Sequence, residues 1–278
     1  MINLFYITNN ITEAKIVDNL AIDWIFIDLE KIGKKERQTG RDTVLSNHSI
    51  EDIYNIKSKI NNTKILVRCN PIGDWSKREF SEINAIGSEI DMVMLPYFKT
   101  IEEVKIFIDL LDTTIIEPAL LVETLDAITN LEEIIQVFPF KYIHIGLNDL
   151  HIERRTVSMF EPYIDGLIEK VTSILRDNDK DFGIGGIGKI GKEMSPSPEC
   201  LFNEHIRLGS KGVILSRSFK GDFNDEKTDL FKIKLSESVK DLRNYEKKAK
   251  NFNEKYLFES YELMKIDIEG AIKDGNIQ

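Results

Sequence analysis

Short apolar runs recur along this chain at intervals of about 20 to 40 residues. They are rich in Ile, Val, Leu, Phe and Tyr, and near-continuous runs of this kind are typical of parallel strands buried on both faces. We predict strands at 3–8, 23–29, 64–69, 91–96, 116–123, 141–147, 182–187 and 212–217. The spacing leaves room for a helix after each strand, which limits the chain to a small set of α/β folds.

The segments between these runs carry helix signals. Thr12-Glu13-Ala14 opens the first, Thr100 and Glu103 have the spacing of a capping box, and a further helical stretch starts near Asn130. Eight strand-then-helix units predict an α/β fold of the (β/α)8 TIM barrel type, with extra C-terminal helices. The alternative is a doubly wound open sheet, which usually has a glycine-rich turn after its first strand, whereas residues 8–10 are Thr-Asn-Asn.

The chain is longer than one barrel needs. We assign the barrel strands and helices to residues 1–221, and a closing helix plus a C-terminal helical extension to residues 222–278, all within a single domain. In the extension an apolar pattern at helical spacing continues through Phe252, Tyr256, Leu257, Tyr261, Met264, Ile268 and Ile272. This face must be buried. It packs either against a second copy, which predicts a homo-oligomer through the C-terminal helices, or against the chain's own barrel.

Composition argues against several classes of partner. The net charge of −10 disfavours a nucleic-acid-binding surface, although a metal ion and a local arginine can still attract a small anion. No apolar run reaches the roughly 18 residues of a membrane helix, and the first residues resemble a strand rather than a signal peptide. Cys69 and Cys200 form no metal or redox spacing. We therefore expect a reduced, cytoplasmic protein that binds neither nucleic acid nor membrane.

Two carboxylates follow consecutive predicted strands. In a TIM barrel the carboxyl ends of the strands form the active face, which places Glu123 at the end of strand five and Asp149 after strand six. Neighbouring strands lie about 4.8 Å apart, so one Mg²⁺ or Mn²⁺ ion could bind both carboxylates. The alternative is that each carboxylate only caps the helix that follows it.

Charged side chains also end the second and third strands. Arg68 could hold a substrate carboxylate through its planar fork, or form a structural ion pair with Glu30 or Glu123. Asp28 and Glu30 are candidate acid–base residues, or members of a structural network with the basic residues of the loop that follows. His48, in that loop, is the candidate for proton transfer among the four histidines.

The remaining candidates lie at the same predicted barrel end. Asn70 and Pro96 end strands three and four. Gly185 and Gly186 belong to the glycine-rich strand seven, where the lack of side chains lets a ligand approach the backbone closely. All four are candidate substrate-binding residues, and the glycines alternatively resemble a phosphate cradle. Lys189, just after them, is a candidate Schiff-base lysine or a solvated loop charge.

Three blocks of the sequence resemble the HpcH/HpaI aldolase/citrate lyase β-subunit family of the phosphoenolpyruvate/pyruvate-binding barrel superfamily. They are residues 67–70 (VRCN), 123–134 (ETLDAITNLEEI) and 146–150 (GLNDL), and the resemblance runs from the second predicted strand to about the sixth. It implies that Glu123 and Asp149 bind Mg²⁺ or a similar ion, and that Arg68 binds the carboxylate of a 2-oxo acid.

Together these residues favour a metal-dependent carbon–carbon lyase or aldolase acting on pyruvate, oxaloacetate or a related 2-oxo acid. The ion would stabilise the developing enolate, and Arg68 would orient the substrate. Two alternatives stay open: a Schiff-base aldolase that uses Lys189, and a non-catalytic subunit that binds a 2-oxo acid or takes part in assembly. Lys31 favours the latter, because it stands where the aldolase branch of the family has a histidine.

Overall fold

The computed structural model describes residues 1–34, 47–138, 140–221, 223 and 227–274. Eight parallel strands form a closed barrel in chain order, and β1 pairs with β8. Closure confirms the (β/α)8 TIM barrel and excludes the open sheet. The strands are β1 Asn3–Ile7, β2 Trp24–Asp28, β3 Lys64–Arg68, β4 Met92–Leu95, β5 Glu117–Val122, β6 Tyr142–Ile145, β7 Asp181–Ile187 and β8 Gly212–Leu215.

Helices alternate with the strands and continue after the last one. In the described residues they are α1 Ile11–Val17, α2 Ile50–Lys57, α3 Ser76–Ile86, α4 Ile101–Leu110, α5 Leu125–Val137, α6 Leu147–Arg154, α7 Glu161–Ile164, α8 Leu167–Asp177, α9 Pro198–Leu208, α10 Arg217–Lys220, α11 Thr228–Ala249 and α12 Glu254–Lys273. A short 3₁₀ turn, Gly87–Glu89, precedes β4. Residues 35–46 of the long loop after β2, and 222 and 224–226 of the predicted closing helix, lie outside the described residues.

Side-chain caps fix where several helices begin. The predicted capping box is present: Thr100 accepts from the Glu103 backbone N–H, and the Glu103 carboxylate accepts from the Thr100 N–H. The helical stretch predicted near Asn130 begins earlier, at Leu125, because the Thr124 hydroxyl accepts from Ala127 N. Caps of this kind hold the strand-to-helix turns in which the polar residues of the barrel's carboxyl end lie.

The core has two layers. Inside the barrel, aromatic and aliphatic side chains fill the space between the strands, namely Phe5, Trp24, Phe26, Leu66, Met92, Met94, Ala119, Leu121 and Tyr142. A larger apolar layer lies between the strands and the surrounding helices. Because both faces of the strands are buried, the barrel is a rigid support for the residues at its carboxyl end.

In the described part of the chain none of the helices is long and apolar enough to span a membrane.

The C-terminal helices lie on the barrel of the same chain. Helix α12 packs on α9 and buries Leu257, Met264 and Ile268. This is the second of the two arrangements predicted for the apolar face of the extension. The predicted face is thus covered within the chain only in part, because Tyr256 stays exposed.

Candidate active site

Three carboxylates meet at the carboxyl end of the barrel. Glu30 follows β2, Glu123 follows β5, and Asp149 lies in the first turn of α6, directly after β6. Each is buried, and one oxygen from each lies within 4.8 Å of the other two. The sequence predicted that Glu123 and Asp149 would lie together, but it placed Glu30 with the acid–base residues rather than in this group.

Glu123 is held by the backbone of two neighbouring turns. Tyr97 N donates to Glu123 Oε1 at 3.0 Å. Tyr97 directly follows Pro96 and has φ of 48°, a left-handed conformation that is uncommon outside glycine and concentrates at functional sites. On the other side, a Cβ placed on Gly146 would lie 2.7 Å from Glu123 Oε2. The carboxylate therefore has one orientation, set by a donor on one side and by the lack of a side chain on the other.

Arg68 is engaged by Asp28. These residues are register partners on β3 and β2, and Asp28 accepts from Arg68 Nε and Nη2, both at 2.8 Å. The guanidinium also lies 3.3 Å from Glu30 and 5.5 Å from the centre of the Phe26 ring. The predicted alternative of an ion pair with Glu30 is thus present, but the main partner is Asp28, which was not among the predicted ones. Those bonds use Nε and Nη2, so the edge of the fork that carries Nη1 points away from Asp28.

Lys34 completes this network. Its Nζ lies 2.8 Å from Asp28 and 3.2 Å from Glu30, and the side chain is buried. Burial alone would raise the pKa of Asp28, but the charges and hydrogen bonds of Arg68 and Lys34 outweigh it and hold that pKa well below its usual range. Burial likewise works to lower the pKa of Arg68, and Asp28 and Glu30 more than reverse it. Both side chains are therefore charged at neutral pH.

Carboxylates predominate among the residues of this cluster. Its four carboxylates, Asp28, Glu30, Glu123 and Asp149, carry four formal negative charges, and Arg68 and Lys34 supply two positive ones. Like charges that converge in a buried space repel one another, and a divalent cation held between them would relieve that repulsion. An all-oxygen donor set suits Mg²⁺ or Mn²⁺. The residues present therefore fit a divalent metal ion held by Glu30, Glu123 and Asp149.

His48 and Asn70 support the loop after β2. His48 Nδ1 accepts from Asp28 N at 2.9 Å, and burial lowers the pKa of this histidine. The Asn70 side chain accepts from the backbone of Lys31 and donates to Glu79 at 2.8 Å. Both lie near Asp28 and the start of the loop, and in this structure their polar atoms position the backbone. Contact of either with substrate, or proton transfer by His48, stays a prediction.

The glycine-rich strand forms a bulge. The pairing of β7 with β8 shifts register between Gly183 and Gly186, and Gly185 has φ of 46°. The Gly185 carbonyl lies 3.0 Å from His144 Nε2, and a Cβ there would lie 2.7 Å from the Leu147 side chain. The glycines therefore serve a close backbone approach, and their contact with substrate stays a prediction.

Comparison with known proteins places this barrel in a family. Residues 1–161, more than half of the chain, match the family model described as HpcH/HpaI aldolase/citrate lyase. Among solved structures, a HpcH/HpaI aldolase/citrate lyase family protein from Burkholderia cenocepacia J2315 has a TM-score of 0.60 at 11% identity, over 87% of this chain and 94% of that one. A HpcH/HpaI aldolase from Desulfitobacterium hafniense DCB-2 has a TM-score of 0.57 at 13% identity, over 77% and 85%. RipC from Yersinia pestis has a TM-score of 0.55 at 13% identity, over 84% and 95%.

At such low identity the solved structures establish the shared fold alone. Comparison with curated protein sequences gives no match. The family model is the stronger finding, because its match runs from β1 to the start of α7. This segment includes Glu30, Arg68, Glu123 and Asp149. The chain therefore belongs to the HpcH/HpaI aldolase/citrate lyase family.

Proposed function

We propose that this protein is a divalent-metal-dependent carbon–carbon lyase or aldolase that acts on the enolate of a 2-oxo acid of the pyruvate or oxaloacetate type. Family membership supports lyase chemistry. The observation that carries the metal dependence is the convergence of three buried carboxylates, those of Glu30, Glu123 and Asp149. Bound there, Mg²⁺ or Mn²⁺ would supply Lewis-acid stabilisation of the enolate oxygen.

Arg68 would bind and orient the substrate carboxylate. Asp28 holds the guanidinium by the Nε and Nη2 side, so the planar fork is fixed before a ligand arrives. The Nη1 edge then offers donors to a second carboxylate, and the 2-oxo acid supplies one. Asp28 is thereby a positioning residue. Its pKa lies far below neutrality, which makes it a poor general base.

The state of His48 limits its part in proton transfer. Because Nδ1 accepts from Asp28 N and burial lowers the pKa of the ring, the neutral imidazole carries its proton on Nε2. In this arrangement neither nitrogen is ready to accept a proton. We therefore propose that His48 positions Asp28, and through it Arg68.

Calorimetric titration with Mg²⁺ and Mn²⁺ tests the metal site. We expect Glu123→Gln, Asp149→Asn and Glu30→Gln each to weaken binding by at least about tenfold, since loss of a ligand should cost no less than loss of a supporting residue. Glu133→Gln is the matched control, because Glu133 lies exposed on α5. Unchanged affinity in all three site variants would rule the site out.

Titration with pyruvate tests the role of Arg68. Arg68→Lys keeps the positive charge but loses the planar fork. We expect pyruvate affinity to fall by about tenfold or more, the cost of one bidentate charge-assisted contact, while thermal unfolding still shows a folded protein. Normal pyruvate binding by this variant would contradict the assignment.

Lys189 supports a second candidate, a Schiff-base aldolase. It lies just after β7, outside the carboxylate cluster, and burial together with the charges of Lys192 and Lys234 lowers its pKa. Borohydride reduction in the presence of pyruvate separates the two mechanisms, because only a Schiff base is trapped as a stable adduct. Tight pyruvate binding without turnover of any partner substrate would instead favour a non-catalytic binding subunit.

We also propose that the protein is a homo-oligomer joined through its C-terminal helices. While one face of α12 is buried on α9, another exposes Tyr256, Leu263 and Ile266. Light scattering at micromolar concentration should show an oligomer that Leu263→Asp with Ile266→Asp dissociates. The control is Ile233→Asp, at an exposed apolar position of α11. A monomeric full-length protein would contradict the proposal.

A further inference from the structure

A cavity lies beside the carboxyl ends of β7 and β8. It has a volume of about 250 Å³, is partly open to solvent, and is lined by described residues that follow these strands and by the first turns of α11. Four lysines line it, Lys189, Lys220, Lys227 and Lys234. Because all the strands are parallel, this cavity opens at the same end of the barrel as the carboxylate cluster.

The lysines of this cavity, which we call the lysine cavity, are incompletely neutralised. Lys220 forms an ion pair with Glu13 at 3.1 Å. Among the described residues, no carboxylate lies within 4.0 Å of the other three ammonium groups, and none lines the cavity. Taken over the described residues, the lining of this cavity makes a local positive field in a protein whose net charge is −10.

The walls of the lysine cavity strengthen this field. Phe219, Phe223 and Phe231 contribute aromatic surface, and the rings of the last two lie 4.6 Å apart. Lys189 Nζ lies 5.9 Å from the centre of the Phe219 ring. Burial lowers the pKa of Lys189, and so do the charges of Lys192 and Lys234. An anion bound there would relieve the repulsion among the ammonium groups, in surroundings less polar than open solvent.

We propose that the lysine cavity binds the phosphate group of a phosphorylated small molecule. Three unpaired ammonium groups match the two negative charges of a phosphate monoester better than the single charge of a carboxylate. The aromatic wall offers a surface for the organic part of such an ester. Since both sites lie at one end of the barrel, the phosphorylated molecule would be the partner substrate of the 2-oxo acid, an extension that rests on the function proposed above.

Calorimetry with inorganic phosphate, phenyl phosphate and phenol at low ionic strength tests the proposal, because salt screens such contacts. We expect phenyl phosphate to bind with a dissociation constant below about 1 mM and more tightly than inorganic phosphate, and phenol not to bind. No saturable binding of either phosphate would overturn the site. Equal affinity for the two would overturn its assignment to an organic ester and leave free phosphate as the ligand.

Variants locate the bound phosphate. Lys189→Gln with Lys234→Gln should weaken phenyl phosphate binding by at least about tenfold, roughly the worth of one charge-assisted contact. Lys240→Gln, an exposed position farther along α11 that does not line the cavity, should leave it unchanged. Mg²⁺ binding measured on the same variants separates the two sites. Retained Mg²⁺ affinity with lost phosphate binding supports the proposal, whereas equal phosphate binding by both variants overturns it.

Discussion

The two ends of this barrel bury charged side chains in opposite ways. At the amino end, Arg243 on α11 forms ion pairs with Asp23 and Glu246, and Lys250 pairs with Glu246. Two carboxylates there face two cations. At the carboxyl end, four carboxylates gather beside Arg68 and Lys34, and three of them converge on one another. Each carboxylate pairs with a cation where the chain only has to fold, whereas carboxylates converge on one another where we propose that a metal ion binds.

Backbone contacts differ between the two ends as well. Arg243 donates to the carbonyls of Ile2 and Ala21, and Glu246 accepts from Ile2 N at 2.7 Å. The amino-end network therefore fastens the start of β1 to the closing helix. At the other end Glu123 accepts from a residue with a left-handed backbone, and Gly146 passes close to its carboxylate. The left-handed backbone of Tyr97 costs stability, and residues of this kind are typical of sites that serve binding.

The largest expected effect is on stability at the amino end. Arg243→Met removes the cation and leaves two carboxylates facing each other beside unpaired backbone carbonyls, so unfolding free energy should fall by about 3–5 kcal/mol. Urea unfolding measures this. Arg78→Met is the control, because Arg78 forms an exposed pair with Glu82 and should change stability by less than about 0.5 kcal/mol.

Arg243→Met should leave the carboxyl end intact. Mg²⁺ affinity is therefore expected to match that of the unsubstituted protein wherever the variant is folded, and Arg243→Lys provides a milder change if Arg243→Met does not fold. A loss of Mg²⁺ affinity that equals the loss at Glu123→Gln would show that the two ends are not independent, and would end the comparison.

Sequence periodicity was sufficient to predict the barrel. Every observed strand overlaps a predicted one, because strands buried on both faces must be apolar and the polar turns between them interrupt the pattern. The positions of Glu123 and Asp149 followed from that prediction. The inclusion of Glu30 did not, since β2 and β5 are not neighbours and the order of strands does not say how far side chains reach across the barrel mouth.

Other parts of the site depend on tertiary contacts that no local sequence pattern predicts. Lys34 appears in the sequence as one of several basic residues in a loop, and its burial against Asp28 is a tertiary result. The left-handed turn at Tyr97 is likewise invisible, because the residue type argues against it. Of these features, only the role of Gly146 could have been inferred from the sequence. It stands directly between an apolar strand and a helix whose first turn carries a carboxylate.

The next prediction concerns a buried side chain that is uncharged in the folded protein. His144 lies inside the barrel, 2.9 Å from the Tyr142 hydroxyl and 3.0 Å from the Gly185 carbonyl, and burial lowers its pKa to about 4. In the unfolded chain His144 takes up a proton near pH 6.5, whereas in the folded chain it does so only near pH 4. The stability that depends on a neutral His144 is therefore fully present above pH 6.5 and is lost as pH falls to about 4. The expected loss is on the order of 3 kcal/mol.

Histidine NMR titration checks this directly. The resonance that disappears in His144→Gln should titrate below pH 5, and urea unfolding of that variant should depend less steeply on pH between 6.5 and 4 than that of the unsubstituted protein. A His144 pKa near 6.5 would mean that the ring is solvated, and the barrel interior beneath the site would then not be the rigid layer described above.

The smallest expected effect comes from adding a single Cβ at Gly146, at the carboxyl end of the barrel. Gly146 has φ of −89° and ψ of 112°, which any residue adopts, so Gly146→Ala adds no backbone strain and changes only the contact with Glu123 Oε2. Moving that oxygen should weaken Mg²⁺ binding by about tenfold, or about 1.4 kcal/mol, as measured by calorimetry. The matched control is Gly270→Ala on α12, where a Cβ has nothing within 4 Å and should raise helix stability slightly without changing Mg²⁺ affinity. Equal Mg²⁺ affinity in the two variants would mean that the orientation of Glu123 does not matter for metal binding. The proposed difference between the ion-paired amino end and a metal-binding carboxyl end would then be contradicted.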